Sequence, residues 1–305
     1  MSRDVSVTTV VPIYNGLPFL PDAVNSLLAQ TLQGRILLID DGSTDGSGEY
    51  LDRLSDSRVT VVHQPNVGLA TTLNHAYMDL VDTEFVARLD QDDVASPNRL
   101  ATQLDILLAR RDAAAVFTSV AKIGANGQRL NVHPSADGRT VTYEPSAIMC
   151  PLPSTMMART DALVSAGGHR GELYPSDDYD LALRLAEKNL VLLLHEPLVS
   201  YRVHRGNATW QTWRSGEFTT RYAWAMHRLR VAGLPEIPLE TWKAGSASGL
   251  GELRYRMGAI GRLCFRRAGM GMGEGRRLAA ACWMGPAMLL APRFAWQGLR
   301  RATRP

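Results

Sequence analysis

Several signals that assign a chain to a functional class are missing from this sequence. It has three cysteines, Cys150, Cys264 and Cys282, which form no CxxC pair and so favour free thiols in a reducing compartment. No apolar run approaches the ~20 residues of a membrane span, and the first residues lack the apolar core of a signal peptide. The net charge of +3 is too small to indicate nucleic acid as a partner. These absences predict a cytoplasmic protein that does not bind nucleic acid.

The phosphate-binding loops of common nucleotide folds are also missing. The chain contains neither GxxxxGK[ST] nor a GxGxxG after its first apolar segment. Instead, two adjacent carboxylates, Asp40 and Asp41, stand where a phosphate cradle would need backbone amides. Carboxylates suit hydrogen bonds from a base N–H or from sugar hydroxyls. The alternative is that this segment forms Asx turns and caps a helix.

Apolar, β-branched segments alternate with helical segments through the first part of the chain. The hydrophobic content of 45% allows a substantial core. The spacing of the apolar segments, roughly 25 residues, is typical of right-handed βαβ units on a parallel sheet. The predicted strands are Val5–Ile13, Arg35–Ile39, Val59–Val62 and Phe85–Leu89, and helices are predicted from Pro21 and over Leu69–Leu80.

A polar cluster follows each predicted strand. Because the carboxyl ends of parallel strands meet at one edge of the sheet, we expect these clusters to converge on a ligand crevice. The last cluster, Asp90–Asp93, has three carboxylates in four residues. Their repulsion calls for a cation or a solvated loop. The segment is therefore either a site for a divalent ion that bridges to phosphate, or an acidic turn before the next helix.

Four segments, taken in order, resemble the family 2 glycosyltransferases of GT-A fold: Val10–Asn15, Asp40–Ser47, Asn66–Ala70 and Leu89–Asp93. The resemblance covers about the first 210 residues. It implies an α/β fold, a Rossmann-like, mostly parallel sheet flanked by helices, with a C-terminal helical extension. The implied domains are a catalytic domain over 1–210 and an extension over 211–305, with a nucleotide-sugar half (1–95) and an acceptor half (96–210).

The second half of the catalytic region resembles the acceptor-side segment of the same family. Thr155–Arg159, Ala166–His169 and Ser176–Leu185 match it, but His169 replaces the usual aromatic residue and Asp177 replaces the commoner Glu. By this match Asp178 is the general base. Read without the resemblance, carboxylates at the start of a helix interact favourably with the helix dipole.

A late histidine completes the candidate metal site. The alternation around Tyr201 predicts a strand with Arg202 and His204 on one face. A lone histidine is usually an ordinary surface residue, whereas the resemblance implies a ligand for Mn²⁺ or Mg²⁺. The residues that the resemblance implies are Asp178 for catalysis; Asp92 and His204 for the metal; Pro12, Tyr14, Asn15, Asp40, Asp41, Asn66, Asp90 and Gln91 for the donor; and, on the acceptor side, Asp177 and His169.

The resemblance implies an inverting enzyme that moves a sugar from a nucleotide-diphosphate donor, expected to be a UDP-sugar, to a hydroxyl of a glycan or lipid-linked glycan. One rival is a nucleotidyltransferase, which usually has a Gly-rich, basic loop after its first strand; Val11–Asn15 is neither. A second rival is a non-catalytic, nucleotide-sugar-binding or scaffold protein of the same fold, against which the intact Asp90, Asp92 and Asp178 argue.

The C-terminal part of the chain has a different character. The segment 276–301 combines a short apolar stretch with flanking arginines. This composition suits an interfacial helix on anionic lipid and would place the protein peripherally on the inner face of the membrane. It equally suits a helix pair that packs on the catalytic domain or in a dimer.

Overall fold

The computed structural model of the chain describes residues 6–130, 137–146, 150–204, 206 and 213–246, together with isolated positions between 264 and 288.

A parallel four-stranded sheet forms the first half of the structure. Its order is β3–β2–β1–β4, which places the first strand in the middle. The predicted strands are confirmed, with ends that differ by one or two residues. The observed strands are β1 (Val7–Ile13), β2 (Arg35–Asp41), β3 (Val59–Gln64) and β4 (Phe85–Arg88).

Helices cover both faces of this sheet, because successive side chains of a strand point to opposite faces. Val10 of β1 packs into one apolar cluster with Leu73, whereas its neighbour Val11 packs into another with Leu20 and Leu27. The helices are α1 (Leu20–Leu28), α2 (Ser47–Asp52), α3 (Leu69–His75), which continues into a π-helical turn (Ala76–Leu80), and α4 (Arg99–Ala109).

The second half extends the sheet with antiparallel and parallel pairs. The order continues β4–β8–β6–β9–β5, and β7 pairs with β9. The sheet is therefore mixed: β8 runs antiparallel to both of its neighbours, and β6 runs parallel to β9. These strands are β5 (Val94–Ala95), β6 (Ala113–Gly124), β7 (Thr140–Thr142), β8 (Met157–Arg159) and β9 (Leu190–Val203). The helices between them are α5 (Thr160–Ser165) and α6 (Asp177–Lys188).

Within residues 213–246, two further helices follow β9. They are α7 (Trp213–Val231) and α8 (Leu239–Ser246). Ala223 of α7 packs against Tyr179 and Leu183 of α6. The division at residues 210 and 211 stays a prediction, and most of 276–301 lies outside the described residues. In the described part of the chain, no helix has the length and apolar character needed to cross a bilayer.

Candidate functional site

The loops after β1 and β2 are tied together at the carboxyl edge of the sheet. The backbone N–H of Asn15 donates to Ser43 Oγ at 3.0 Å, and Asn15 Oδ1 accepts from the backbone N–H of Thr44 at 2.8 Å. Asn15 has φ +50°, a left-handed conformation that Asn tolerates better than most residues. The predicted convergence of these two loops is therefore present in the fold.

Gln91 joins the acidic loop to the loop after β1. Its amide forms a pair of hydrogen bonds with the backbone of Tyr14, one from Tyr14 N at 2.9 Å and one to Tyr14 O at 3.0 Å. Tyr14 is 50% exposed. A Cβ at Gly16 would lie 2.2 Å from Gln91 Oε1, so the close approach needs glycine at this position.

Asp40 is buried and holds its own loop. Its carboxylate accepts from Ser43 N at 3.0 Å and pairs with His63 Nδ1 at 3.0 Å. Burial alone would raise the pKa of Asp40, but hydrogen bonds from Ser43 and His63 outweigh it and lower the pKa below its usual value. The carboxylate is thus kept ionised beside the crevice.

Asp41 holds the loop after β3 in the same way. Its two oxygens accept from the backbone N–H groups of Val67 and Gly68, each at 2.9 Å. Asn66, in the same loop, is exposed at the edge of the sheet. Pro12 is buried inside β1 beside Ile39. The donor-binding roles of these residues stay predictions.

Asp92 and His204 come together although they are far apart in the chain. His204 Nε2 lies 2.8 Å from Asp92 Oδ2, and His204 Nδ1 accepts from the backbone N–H of Gly206 at 3.1 Å. The ring of Phe19 packs against the imidazole at 4.6 Å between centroids. Burial, together with the nearby charge of Asp90, raises the pKa of Asp92.

This pair of side chains fits a divalent ion. Two neighbouring ligands of an octahedral ion, each at about 2.1 Å, lie about 3 Å apart, close to the distance between the two donor atoms. The donor set mixes a carboxylate with an imidazole, and oxygen ligands alone would suit Mg²⁺ better. Of the two predicted ions, the donor set therefore favours Mn²⁺.

Arg202 clamps the acidic loop to the end of β9. Its Nε donates to the backbone carbonyl of Asp92 at 2.9 Å, and its backbone N–H donates to Asp93 Oδ1 at 2.9 Å. Its guanidinium also pairs with Asp22 at 2.8 Å and lies over the ring of Phe19. Asp93 is fully buried, and burial raises its pKa well above the usual value. β5 follows Asp93 directly, so this carboxylate does not open a helix.

Arg88 connects the acidic loop to the candidate base. It is 2% exposed, and its guanidinium pairs with Asp90 Oδ1 at 2.8 Å and with Asp178 Oδ1 at 2.5 Å. Burial alone would lower the pKa of Arg88, but the two carboxylates raise it well above its usual value. Asp90 and Asp178 are thus held to one fixed cation, although they are far apart in the sequence.

Asp178 lies in the first turn of α6 with its side chain 20% exposed. Within the described part of the chain, the hydrogen bond and ion pairs given for this carboxylate are made by Oδ1. Asp177 is buried and pairs with His169 Nδ1 at 3.0 Å. Asp180 is buried as well, and its ion pairs with Arg170 and Arg184 hold its pKa low against the effect of burial.

Sequence reasoning missed the residues that position the site. The sequence motifs assign no role to Arg88, Phe19 or Asn74. One signal was available for Arg88, since a charged residue at the end of an apolar strand next to three carboxylates suggests a buried partner. For Phe19 and Asn74 no signal exists, because their partners His204 and His169 lie far along the chain.

Residues 8–163 match the family model described as Glycosyl transferase family 2, which is half of the chain. The chain therefore belongs to glycosyltransferase family 2. This confirms the family and the enzyme class that the motifs predicted. The matched region contains the donor-side loops and Asp90–Asp93, whereas Asp178 and His204 lie beyond it.

Curated relatives are similar over part of the chain. The glycosyltransferase GlyG of Streptococcus pneumoniae is 41% identical over 105 residues, 33% of this chain and 34% of GlyG. The putative glycosyltransferase EpsE of Bacillus subtilis is 29% identical over 201 residues, 62% of this chain and 69% of EpsE. The chain thus spans about a third of the length of GlyG.

A solved structure shares the fold. The crystal structure of S. aureus TarS 1-349 in complex with UDP-GlcNAc aligns over 96% of this chain and 92% of that chain, with a TM-score of 0.60 and 17% identity. A second TarS 1-349 structure contains UDP and aligns with a TM-score of 0.55. These likenesses confirm the predicted fold class, a helix-flanked, mostly parallel sheet that includes some antiparallel strands.

Proposed function

We propose that this protein is an inverting glycosyltransferase that moves a sugar from a nucleoside-diphosphate donor to a hydroxyl group of a glycan or lipid-linked glycan. The observation that carries this proposal is the buried Arg88, which holds Asp90 of the donor-side loop and Asp178 together. One rigid cation thus fixes the distance between the predicted donor site and the predicted base, as in-line transfer requires.

The donor site consists of the loops at the carboxyl edge of the sheet. Tyr14, Asn15 and Asn66 are exposed there, and the buried Asp40 and Asp41 hold the loops in place. A UDP-sugar is the proposed donor, supported by the fold shared with TarS, whose structures contain UDP-GlcNAc and UDP. Asp92 and His204 would hold Mn²⁺ or Mg²⁺. When bound, the ion would neutralise charge on the leaving diphosphate.

Asp178 is the proposed general base. A hydroxyl group is a poor nucleophile, and a carboxylate that takes its proton during attack typically contributes ~10²–10⁴ in rate. Arg88 holds Oδ1, so Oδ2 is the oxygen that would accept the proton. No covalent intermediate with the protein is required, and direct attack inverts the anomeric carbon.

Measurement of nucleotide release from a panel of donors in the presence of Mn²⁺ tests this function. We expect release with one donor class, and an Asp178→Asn variant that binds UDP normally but loses transfer by ~10²–10⁴. Transfer by Asp178→Asn at the wild-type rate would refute the base. Donor binding without any release, with acceptor extracts present, would support the scaffold alternative.

Binding of Mn²⁺, followed by electron paramagnetic resonance, tests the metal site apart from activity. Asp92→Ala and His204→Ala should each weaken Mn²⁺ binding at least tenfold, since each removes one of two protein ligands. His195→Ala is a matched control, because it lies nine positions earlier along the chain, where its imidazole is close to Asp137. Full activity in EDTA would show that transfer does not require a divalent ion, and would refute the proposed role of the metal.

The acceptor and the location of the protein stay predictions. The acceptor-side assignment of Asp177 and His169 rests on the motif resemblance, and contact of 276–301 with a membrane surface rests on composition. Repeating the donor panel with acceptor extracts on liposomes would test the acceptor class and the membrane contact. Only a membrane-associated reaction should respond to the lipid surface.

A further inference from the structure

We propose that His169, paired with Asp177, is a positioning residue for Asp178. The proposal rests on the proposed function, in which Asp178 is the base. At this position the acceptor-side motif usually has an aromatic residue, and this chain has histidine. The contacts of the imidazole suggest why a histidine stands here.

The backbone of His169 is held by hydrogen bonds that do not involve its side chain. Asn74 on α3 accepts from the backbone N–H of His169 at 2.7 Å and donates to its carbonyl at 2.8 Å. Gly168 precedes it with φ +61°, and a Cβ there would lie 2.3 Å from Asn74 Oδ1, so glycine is needed for this clamp. The backbone of His169 is therefore held in place by α3.

The imidazole faces two carboxylates with one nitrogen. His169 Nδ1 lies 3.0 Å from Asp177 Oδ2 and 3.5 Å from Asp178 Oδ1. Both neighbours are acceptors, so Nδ1 must carry a proton. The hydrogen bond goes to Asp177, and the longer contact with Asp178 is electrostatic.

The second ring nitrogen, Nε2, makes no hydrogen bond in the described structure. His169 is 5% exposed, and its Nε2 is buried without a partner in the described structure. An aromatic ring would fill this space without leaving a buried polar atom unpaired. The polar contacts found for the ring in the described structure are therefore those that Nδ1 makes with the two carboxylates.

Asp178 is consequently held from two directions. Arg88 Nη1 contacts Oδ1 from β4, and His169 Nδ1 approaches the same oxygen from the segment that follows α5. A cavity of about 10 Å³, room for about one water, adjoins all three side chains, and the rest of its lining is apolar. With little water to compete, the guanidinium of Arg88 and the imidazole N–H of His169 fix the plane of the carboxylate at Oδ1 and leave Oδ2 available to the acceptor.

Two variants of nearly equal shape test this role. Asn at position 169 keeps an N–H close to Nδ1, whereas Leu, which is isosteric with Asn, has no donor. We expect His169→Asn to keep kcat within about threefold of wild type and His169→Leu to lose about tenfold or more, while UDP binding and donor KM stay unchanged in both. Equal kcat values for the two variants would overturn the proposal, as would loss of UDP binding in both, which would make His169 a packing residue.

A double-mutant cycle separates positioning from general damage. If His169 acts through Asp178, then His169→Leu should lower transfer in the wild type but have no further effect on the residual rate of Asp178→Asn. An equal loss in both backgrounds would overturn the proposal. The proposed function fails separately: in that case wild type transfers no sugar, or Asp178→Asn transfers at the full rate.

Discussion

Replacement of Arg88 by methionine should damage stability and catalysis together. Methionine has a similar length and can fill the buried space, but it removes the cation between Asp90 and Asp178. Both carboxylates would then lose their common partner, and the orientation of Asp178 would no longer be linked to the acidic loop. The variant thus tests the connection on which the proposed function depends.

The free energy of unfolding that Arg88→Met loses depends on how exposed Asp90 and Asp178 are. Removing one member of a buried ion pair typically costs about 3–5 kcal/mol. The side chains of Asp90 and Asp178 are 30% and 20% exposed, so water relieves part of their charge and we expect about 2–3 kcal/mol. For a chain of 305 residues, at about 2.1 cal/mol/K of unfolding entropy per residue, that loss corresponds to a decrease in Tm of about 3–5 °C.

Thermal unfolding and steady-state transfer measure the two effects. We expect kcat to fall toward the rate of Asp178→Asn, a loss of up to ~10²–10⁴, because a misplaced base contributes no more than an absent one. Arg88→Lys keeps the charge but cannot donate to both carboxylates in a fork, and its kcat should be intermediate. Arg35→Met is the control, since its ion pair with Asp82 has side chains 62% and 71% exposed and such pairs contribute about 0–1 kcal/mol.

A double variant tests whether the lost stability comes from uncompensated charge. Addition of Asp178→Asn to Arg88→Met removes one uncompensated charge and should recover part of the lost stability. If Arg88→Met instead keeps both Tm and kcat close to those of the wild type, the link between the donor loop and Asp178 has no function, and the reasoning from this geometry is wrong.

Three further outcomes are expected. Arg202→Met should weaken Mn²⁺ binding measured by titration, because the carbonyl of the acidic loop loses its donor; unchanged affinity would contradict the clamp. Gly16→Ala should raise the donor KM, since its Cβ displaces Gln91 from the backbone of Tyr14; an unchanged KM would show that this pairing is dispensable. Hydrogen bonding to Asp40, opposed in part by burial, raises the pKa of His63 above 6.5, so its stabilising contribution is complete below that pH and is lost as pH rises through the raised value. The difference in Tm between wild type and His63→Gln should therefore shrink with rising pH, and a constant difference would contradict this sign.

The parallel half of the fold was predictable because each strand is a short apolar run that ends in a polar turn. Burial on both faces produces this pattern in β1, β2 and β4, and the apolar runs gave the position of each of the four strands to within two residues. The antiparallel additions were not predicted. β8 has three residues and β5 has two, which is too short for any periodicity to appear.

The candidate site residues that the structure brings together lie in loops at the ends of strands. Asp92 and His204 meet as the resemblance implied, but their roles await the tests above. Asp40 and Asp41 illustrate what the sequence leaves undecided. A carboxylate after a strand can bind a ligand or hold a loop, and only the positions of Ser43, His63 and Gly68 show that both hold loops.

The length of β9 has a consequence for folding. This strand has 14 residues and pairs along its length with β6, through three register shifts, before it reaches Arg202 and His204. A slip by one residue would turn every following side chain to the opposite face of the sheet and carry His204 away from Asp92. The pair can therefore form only after the pairing of β9 with β6 is complete and in its native register. Mn²⁺ affinity measured during refolding would then report the closing step of folding, and a metal-binding signal should appear later than the secondary structure.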